Sequence, residues 1–200
     1  MSKRLQSKYS VCKKLSNSYK NLWGLKSKDY CRSVLIKKKK KLTSFGKLLD
    51  IKQSFKFFYS NIGEHLFKNY IKCSIKSPSK TTDKLVSIME SRLDSVLFRS
   101  CLVDSFQEAR QLINHKFITV NGLCIRMPDK KLNKGDIIKL NILQTIDKES
   151  FNKRLLARSI PNYLELDLSN STIVFLWDVN LKNVYYPINV KYSNISRYYK

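Results

Sequence analysis

Arg92 and Arg99 stand seven residues apart in a stretch of helical periodicity, so both are expected on one helix face, away from the apolar stripe. A guanidinium fork fits phosphate oxygens two at a time. Lys37, Lys38, Lys39, Lys40 and Lys41 form an unbroken cationic run, a block that stays extended until it meets an anion. Other chemistry is poorly provided for. Cys12, Cys31, Cys73, Cys101 and Cys124 are scattered with no CxxC pair, and His65 and His115 lie far apart, so no zinc site of ordinary spacing is expected. There is no GxxxxGKS loop, no HExxH, no GxSxG and no pair of carboxylates placed for acid–base work. No catalytic residue, metal or cofactor is predicted.

The charge balance agrees. Lys and Arg number 39 against 15 Asp and Glu, a formal net charge of +24 on 200 residues. Self-repulsion on that scale opposes compaction unless a polyanion neutralises it, and nucleic acid gains further from counterion release. With 42% hydrophobic and 12% aromatic residues the chain can still bury a core, as one large domain or two small ones. No apolar run is long enough to span a bilayer, and no membrane partner is expected. The odd number of scattered cysteines suits a reducing compartment. Heavy use of Lys, Asn, Ile, Tyr, Phe and Ser, with only five Gly and four Pro, has the mark of an AT-rich coding genome such as an organelle's.

The elements that must position these residues fall into four segments. Residues 1–43 read as a basic extended arm, in preference to a cleaved transit peptide because the cations are mostly lysine. Residues 44–82 read as helical: Phe45, Leu48, Leu49, Phe55, Phe58 and Tyr59 recur at near-helical spacing up to a break at Asn61 and Gly63, and Glu64 to Ile71 forms a second short helix. These aromatics are read as core. Pro78 then interrupts, with Thr82 or Asp83 able to cap the next helix.

Residues 83–147 carry the clearest signals. Leu85, Ile88, Met89, Leu93, Val96 and Leu97 make one amphipathic stripe. Ser105 and Glu108 form a capping box opening a second helix, whose buried side is Ala109, Leu112 and Ile113. The period then becomes alternating: Phe117 to Val120, the hairpin dipeptide Asn121-Gly122, Leu123 to Arg126, a loop at Pro128 to Lys131, a turn at Asn133 to Asp136, and Ile137 to Leu140. Residues 148–200 read as a basic helix, Phe151 to Arg158, then strands at Tyr163–Asp167, Thr172–Trp177 and Val184–Tyr192. The fold class is α+β, with a helical N-terminal region, a small domain of two helices packed on a short antiparallel sheet, and a strand-rich tail packing on the N-terminal domain or on neighbours.

Three blocks in the central segment, Glu90 to Arg99, Glu108 to Lys116 and Ile118 to Gly122, resemble in order and spacing the small RNA-binding domain named after the fourth protein of the small ribosomal subunit. That domain is also found on pseudouridine synthases, a tyrosyl-tRNA synthetase and a heat-shock protein. The flanks favour the ribosomal family. Lys47 to Tyr70 resembles its preceding helical region, Pro161 to Asp167 its stretch after the domain, and Pro187 to Ser193 its C-terminal strand. The N-terminal cysteine-rich zinc knot of many bacterial members has no match at Cys12 and Cys31. Residues 169–183 diverge, and Trp177 has no counterpart. The Lys-rich form looks most like mitochondrion-encoded members.

The resemblance implies binding to small-subunit rRNA at a helix junction early in assembly, and support of decoding fidelity. Its partners would be neighbouring small-subunit proteins and the region where mRNA enters. It places the protein in the mitochondrial small subunit, organelle-encoded. Carried over residue by residue, the rRNA contacts are Arg92, Arg99, Arg110, Gln111, His115, Lys116 and Asn121; Lys37 to Lys41, read from composition alone, are a sequence-independent phosphate contact, with a merely solvated run as the alternative. The bland alternatives stay open. Arg92 and Arg110 could pair internally with Asp94 or Glu108, His115 could cap its helix, and Asn121-Gly122 could be turn geometry alone. The rival functions are an RNA-modifying enzyme, for which the chain lacks room for a catalytic domain, and a free-standing RNA-binding factor, which would lack the flanking matches.

Overall fold

The computed structural model describes residues 43–141, 148–186 and 192–199, so Lys37 to Lys41 lie outside the described residues. The chain divides into two units, residues 1–75 with 186–200, and residues 76–185.

The first unit holds helices α1 (Ser44–Phe58) and α2 (Glu64–Lys76), the latter running on to Lys76, and the C-terminal helix α7 (Ser193–Tyr199). Thr43 caps α1 by accepting a hydrogen bond from the Gly46 amide at 3.2 Å. The helix ends where Ser60 and Asn61 both take positive φ, 58° and 53°, and the Asn61 amide folds back to the Lys56 carbonyl. The sequence-predicted aromatics do form core. Phe55, Phe58, Tyr59 and Phe67 are buried, and Tyr186 and Tyr192 pack against them edge-on or tilted at 5.4–6.4 Å. Phe45 differs, being largely exposed and tilted against Tyr198. The expected strand Val184–Tyr192 is not what the described part shows. Val184 to Tyr186 is irregular, and a helix begins at Ser193, placing Ile195 in the core and bringing Tyr198 and Tyr199 to α1 and α2.

In the second unit the single predicted helical stripe is broken in two, α3 (Thr81–Glu90) and α4 (Leu93–Arg99). The break has a cause that lies far downstream in the chain. The loop 128–132 docks there, its Pro128 and Lys130 carbonyls accepting from the Asp94 and Leu93 amides, while the Leu132 amide reaches the Ser91 carbonyl. Arg92 and Lys131 form an isolated antiparallel bridge. Those bonds satisfy backbone groups that a continuous helix would have used internally. Lys80, not Thr82 or Asp83, stands at the N-terminus of α3, without a side-chain cap.

Helix α5 (Phe106–Asn114) comes next, then β1 (Ile118–Val120), β2 (Leu123–Cys124) and β3 (Ile137–Leu140). After α6 (Lys148–Ala157), strands β4 (Leu164–Asp167) and β5 (Thr172–Phe175) complete one antiparallel sheet of order β2-β1-β3-β5-β4. β5 pairs with β3 at Ile138↔Ile173, so the sheet runs across the boundary expected at residue 147. Ile118, Val120, Ile138, Leu140, Ile173 and Phe175 line its buried face with Met89, Leu93 and Ile113 of the helices among the core residues. Among the described residues no helix is long and apolar enough to cross a membrane, and no group of three or more His, Cys, Asp or Glu is placed to hold a metal.

Candidate RNA-binding surface

The candidate surface is built on α5 and its exit into the sheet. Phe106, Ala109 and Ile113 face inward, so the 3.6-residue period turns Gln111 and Asn114 out and leaves Arg110 half-buried at the edge. The start of α5 is capped as expected, the Glu108 amide donating to the Ser105 hydroxyl at 3.2 Å. The reciprocal bond is displaced by one residue, because the Glu108 carboxylate accepts from the Asp104 amide instead of that of Ser105.

The end of α5 is a tight reversal. The Phe117 amide reaches back to the Leu112 carbonyl and the Lys116 amide to that of Ile113, with Lys116 in the left-handed region at φ 65°. Glycine is the usual residue at that position, because a Cβ there is strained. Here the position holds an exposed lysine, next to exposed His115, whose ring is inclined by 30° to that of Phe117 at 6.4 Å. Four of the predicted residues, Arg110, Gln111, His115 and Lys116, are thereby gathered on the C-terminal half and exit of one short helix.

Arg92 and Arg99 are placed differently from expectation. They do not share an outward helix face, because Arg92 precedes α4 instead of riding within one long helix. Arg92 is buried and grips Asp94 with two nitrogens, Nε at 3.0 Å and Nη2 at 2.8 Å. Asp94, only 1% exposed, also accepts from Arg110 Nε at 2.9 Å. A carboxylate so enclosed needs such donors to offset its lost hydration. Arg99 grips buried Glu90 with two nitrogens at 3.0 and 2.7 Å and donates to the Tyr185 carbonyl at 2.9 Å. Tyr163 adds its hydroxyl to Glu90, and burial first, with the neighbouring Glu90 charge second, pushes the Tyr163 phenol well above its ordinary range.

Asn121 and Gly122 have φ of 51° and 80°, the backbone a two-residue hairpin demands. The Asn121 amide also has a second task. It donates to Asp136 and accepts from the Ile137 amide, both at 2.9 Å, which ties the hairpin to the turn before β3. The exposed cations Arg126, Lys130 and Lys131 stand on the segment between β2 and Leu132, which docks between α3 and α4, and Lys134 and Lys139 come shortly after in the chain. These were not among the candidate residues read from sequence. Their only sequence signal is the recurrence of five basic residues, Arg126, Lys130, Lys131, Lys134 and Lys139, within one short segment.

The comparisons with known proteins converge. The S4 domain model matches residues 91–138, and the model described as "Ribosomal protein S4/S9 N-terminal domain" matches residues 3–90. The chain is similar over its full length to proteins named small ribosomal subunit protein uS4. It is 30% identical to the one from Rhodospirillum rubrum, over 100% of this chain and 99% of that protein. It is 29% identical to the one from Methylobacterium nodulans and 28% to the one from Caulobacter vibrioides, each over 100% of this chain and 99% of the relative.

Proposed function

The chain belongs to the uS4 family of small ribosomal subunit proteins, and from that premise we propose how its surface holds RNA. It is a structural constituent of the small subunit that binds small-subunit rRNA, and it is not an enzyme. The direct contacts are Arg110, Gln111, His115 and Lys116, joined by the exposed cations Arg126, Lys130 and Lys131. Guanidinium and ammonium groups neutralise phosphates there, while amide and imidazole donors suit phosphate and 2′-hydroxyl oxygens of folded RNA. Arg92, Arg99 and Asn121 act one step back: Arg92 fixes Asp94, which orients Arg110, Arg99 locks α3 to α4, and Asn121 holds the hairpin. Lys37 to Lys41 add a sequence-independent phosphate contact.

The observation that carries this reading is Lys116, a lysine kept in a strained left-handed position at the exposed end of α5. The finer assignments come from the family: binding at a multi-helix junction early in assembly, support of decoding fidelity, and a place beside neighbouring small-subunit proteins near where mRNA enters. A mitochondrial location is supported by the AT-rich residue usage and by lysine in place of arginine along the basic arm. Backbone cleavage mapping of small-subunit rRNA with the protein bound tests the surface. Protection at one junction, lost in a Lys116→Ala, His115→Ala double variant, is expected; unchanged protection in that variant contradicts it.

A further inference from the structure

Away from that surface, helix α1 carries a second cluster of charge. Lys52 and Lys56 lie one turn apart, and both ammonium groups point to a single carboxylate, Glu64, at 3.1 and 2.5 Å. The two lysine side chains are only 8% and 12% exposed. Buried ammonium groups are costly unless paired, and here two cations share one anion. Lys52 also lies 4.3 Å from the centre of the Tyr198 ring, a contact that helps hold a cation but does not neutralise it. Tyr199 donates its hydroxyl to the same Glu64 oxygen that Lys52 uses. A cavity of about 130 Å³ opens on the cluster, lined by Lys52, Gln53, Lys56, Phe57, Asn61 and Glu64.

We propose that this cavity is a phosphate-binding pocket, in which Lys52 and Lys56 together hold one phosphate group of the rRNA backbone. The inference rests on the rRNA-binding reading above and assigns a contact outside the S4 domain match. The charge arithmetic favours an anion over water: two ammonium groups and one carboxylate leave one positive charge, and a phosphodiester carries one negative charge. Each ammonium has three N–H donors and directs one at Glu64, so donors remain for phosphate oxygens. The amides of Gln53 and Asn61, both exposed at the rim, supply neutral donors. In the RNA-free protein Glu64 shares its carboxylate between the two ammonium groups, where a phosphate would compete with it for them. Its carboxyl is raised by partial burial, but the hydrogen bonds from Lys56, Tyr199 and Lys52 outweigh this and hold it at about 2.

The test uses the full chain and small-subunit rRNA, with affinity measured across a range of KCl concentrations. Each neutralised phosphate contributes about 0.9 to the slope of log affinity against log salt. Lys56→Gln is expected to lower the slope by about that amount, with thermal melting confirming the fold. Glu64→Gln, which keeps both lysines and removes their competitor, is expected to bind at least as tightly. An unchanged slope in Lys56→Gln overturns the proposal, as does weaker binding by a folded Glu64→Gln protein, because both results make the cluster a purely structural ion pair. Titration of the RNA-free protein with inorganic phosphate, followed at the lysine Nζ resonances, separates the sources. Shifts lost in Lys56→Gln mean that the pocket takes the free ion as well, whereas loss of slope without such shifts means that it takes phosphate only within RNA. If the wild-type protein fails to bind rRNA, the functional reading falls. The phosphate titration then decides the pocket alone, and absence of shifts overturns it.

Discussion

Tyr163 donates its phenolic hydrogen to the carboxylate of Glu90 at 3.0 Å, joining residues 73 positions apart in the chain, and both are fully buried. Arg99 holds the same carboxylate with two nitrogens. The bond ties the segment leading into β4 to the end of α3, next to the break where the 128–132 loop docks. Glu90→Gln strips the partly buried Arg99 guanidinium of its buried counter-charge, and breaking a buried pair costs up to about 3–5 kcal/mol. Tyr163→Phe loses a hydrogen bond to a charged acceptor, about 1.5–3 kcal/mol. Urea unfolding midpoints should fall in both variants, more steeply in Glu90→Gln.

Arg92, which holds buried Asp94, and Gln111, which is exposed on α5, should behave differently on substitution. Arg92→Ala leaves an enclosed carboxylate short of its closest partner and is expected to lower stability by about 3–5 kcal/mol. Gln111→Ala, on the exposed side of the same α5 surface, should leave stability within about 0.5 kcal/mol and weaken rRNA binding. Paired urea unfolding and RNA-binding measurements on the two variants check the division between groups that position and groups that touch.

Lys116 offers a test in which stability and binding move in opposite directions. Lys116→Gly relieves the left-handed strain at φ 65° and should stabilise the protein by ~1 kcal/mol. The same change removes an exposed ammonium, so rRNA affinity should drop and its salt slope should fall by about 0.9. A variant that gains stability with no loss of binding would remove Lys116 from the contact set.

Glu64 sets an acid limit on the first unit. Its carboxyl titrates at about 2 in the folded protein against an ordinary 4.5, burial opposing and the Lys56, Tyr199 and Lys52 hydrogen bonds favouring the charged form. A depressed folded value means that the stabilisation is complete above 4.5 and is lost as pH falls through the interval down to about 2. Hydrogen exchange of α1 amides should therefore accelerate as pH drops across that window, beyond the intrinsic rate change, and the excess should vanish in Glu64→Gln.

Much of this was legible in the residues themselves. The core of the first unit comes from Phe55, Phe58 and Phe67 at helical spacing, and the hairpin from Asn121-Gly122, because these are local rules that tertiary packing did not override. The break between α3 and α4 was not legible. Leu85 to Leu97 keeps a continuous apolar period, and what interrupts it is backbone bonding to Pro128, Lys130 and Leu132, invisible to any local window. The same long-range event hid the true position of Arg92. A seven-residue spacing puts two arginines on one face only if one helix carries both. The Lys52–Lys56–Glu64 cluster was likewise hidden: helical spacing turns these lysines toward solvent or RNA, and no local pattern brings the distant Tyr198 and Tyr199 onto them.

Sedimentation of a lysate from cells that express this chain, on sucrose gradients at low and high salt with the protein followed by mass spectrometry, tests the central claim most directly. An integral small-subunit protein stays with the small subunits through the high-salt wash, because folded contacts and buried phosphates resist screening better than a loose electrostatic association. A protein that runs free, or leaves the subunits at moderate salt, contradicts the account.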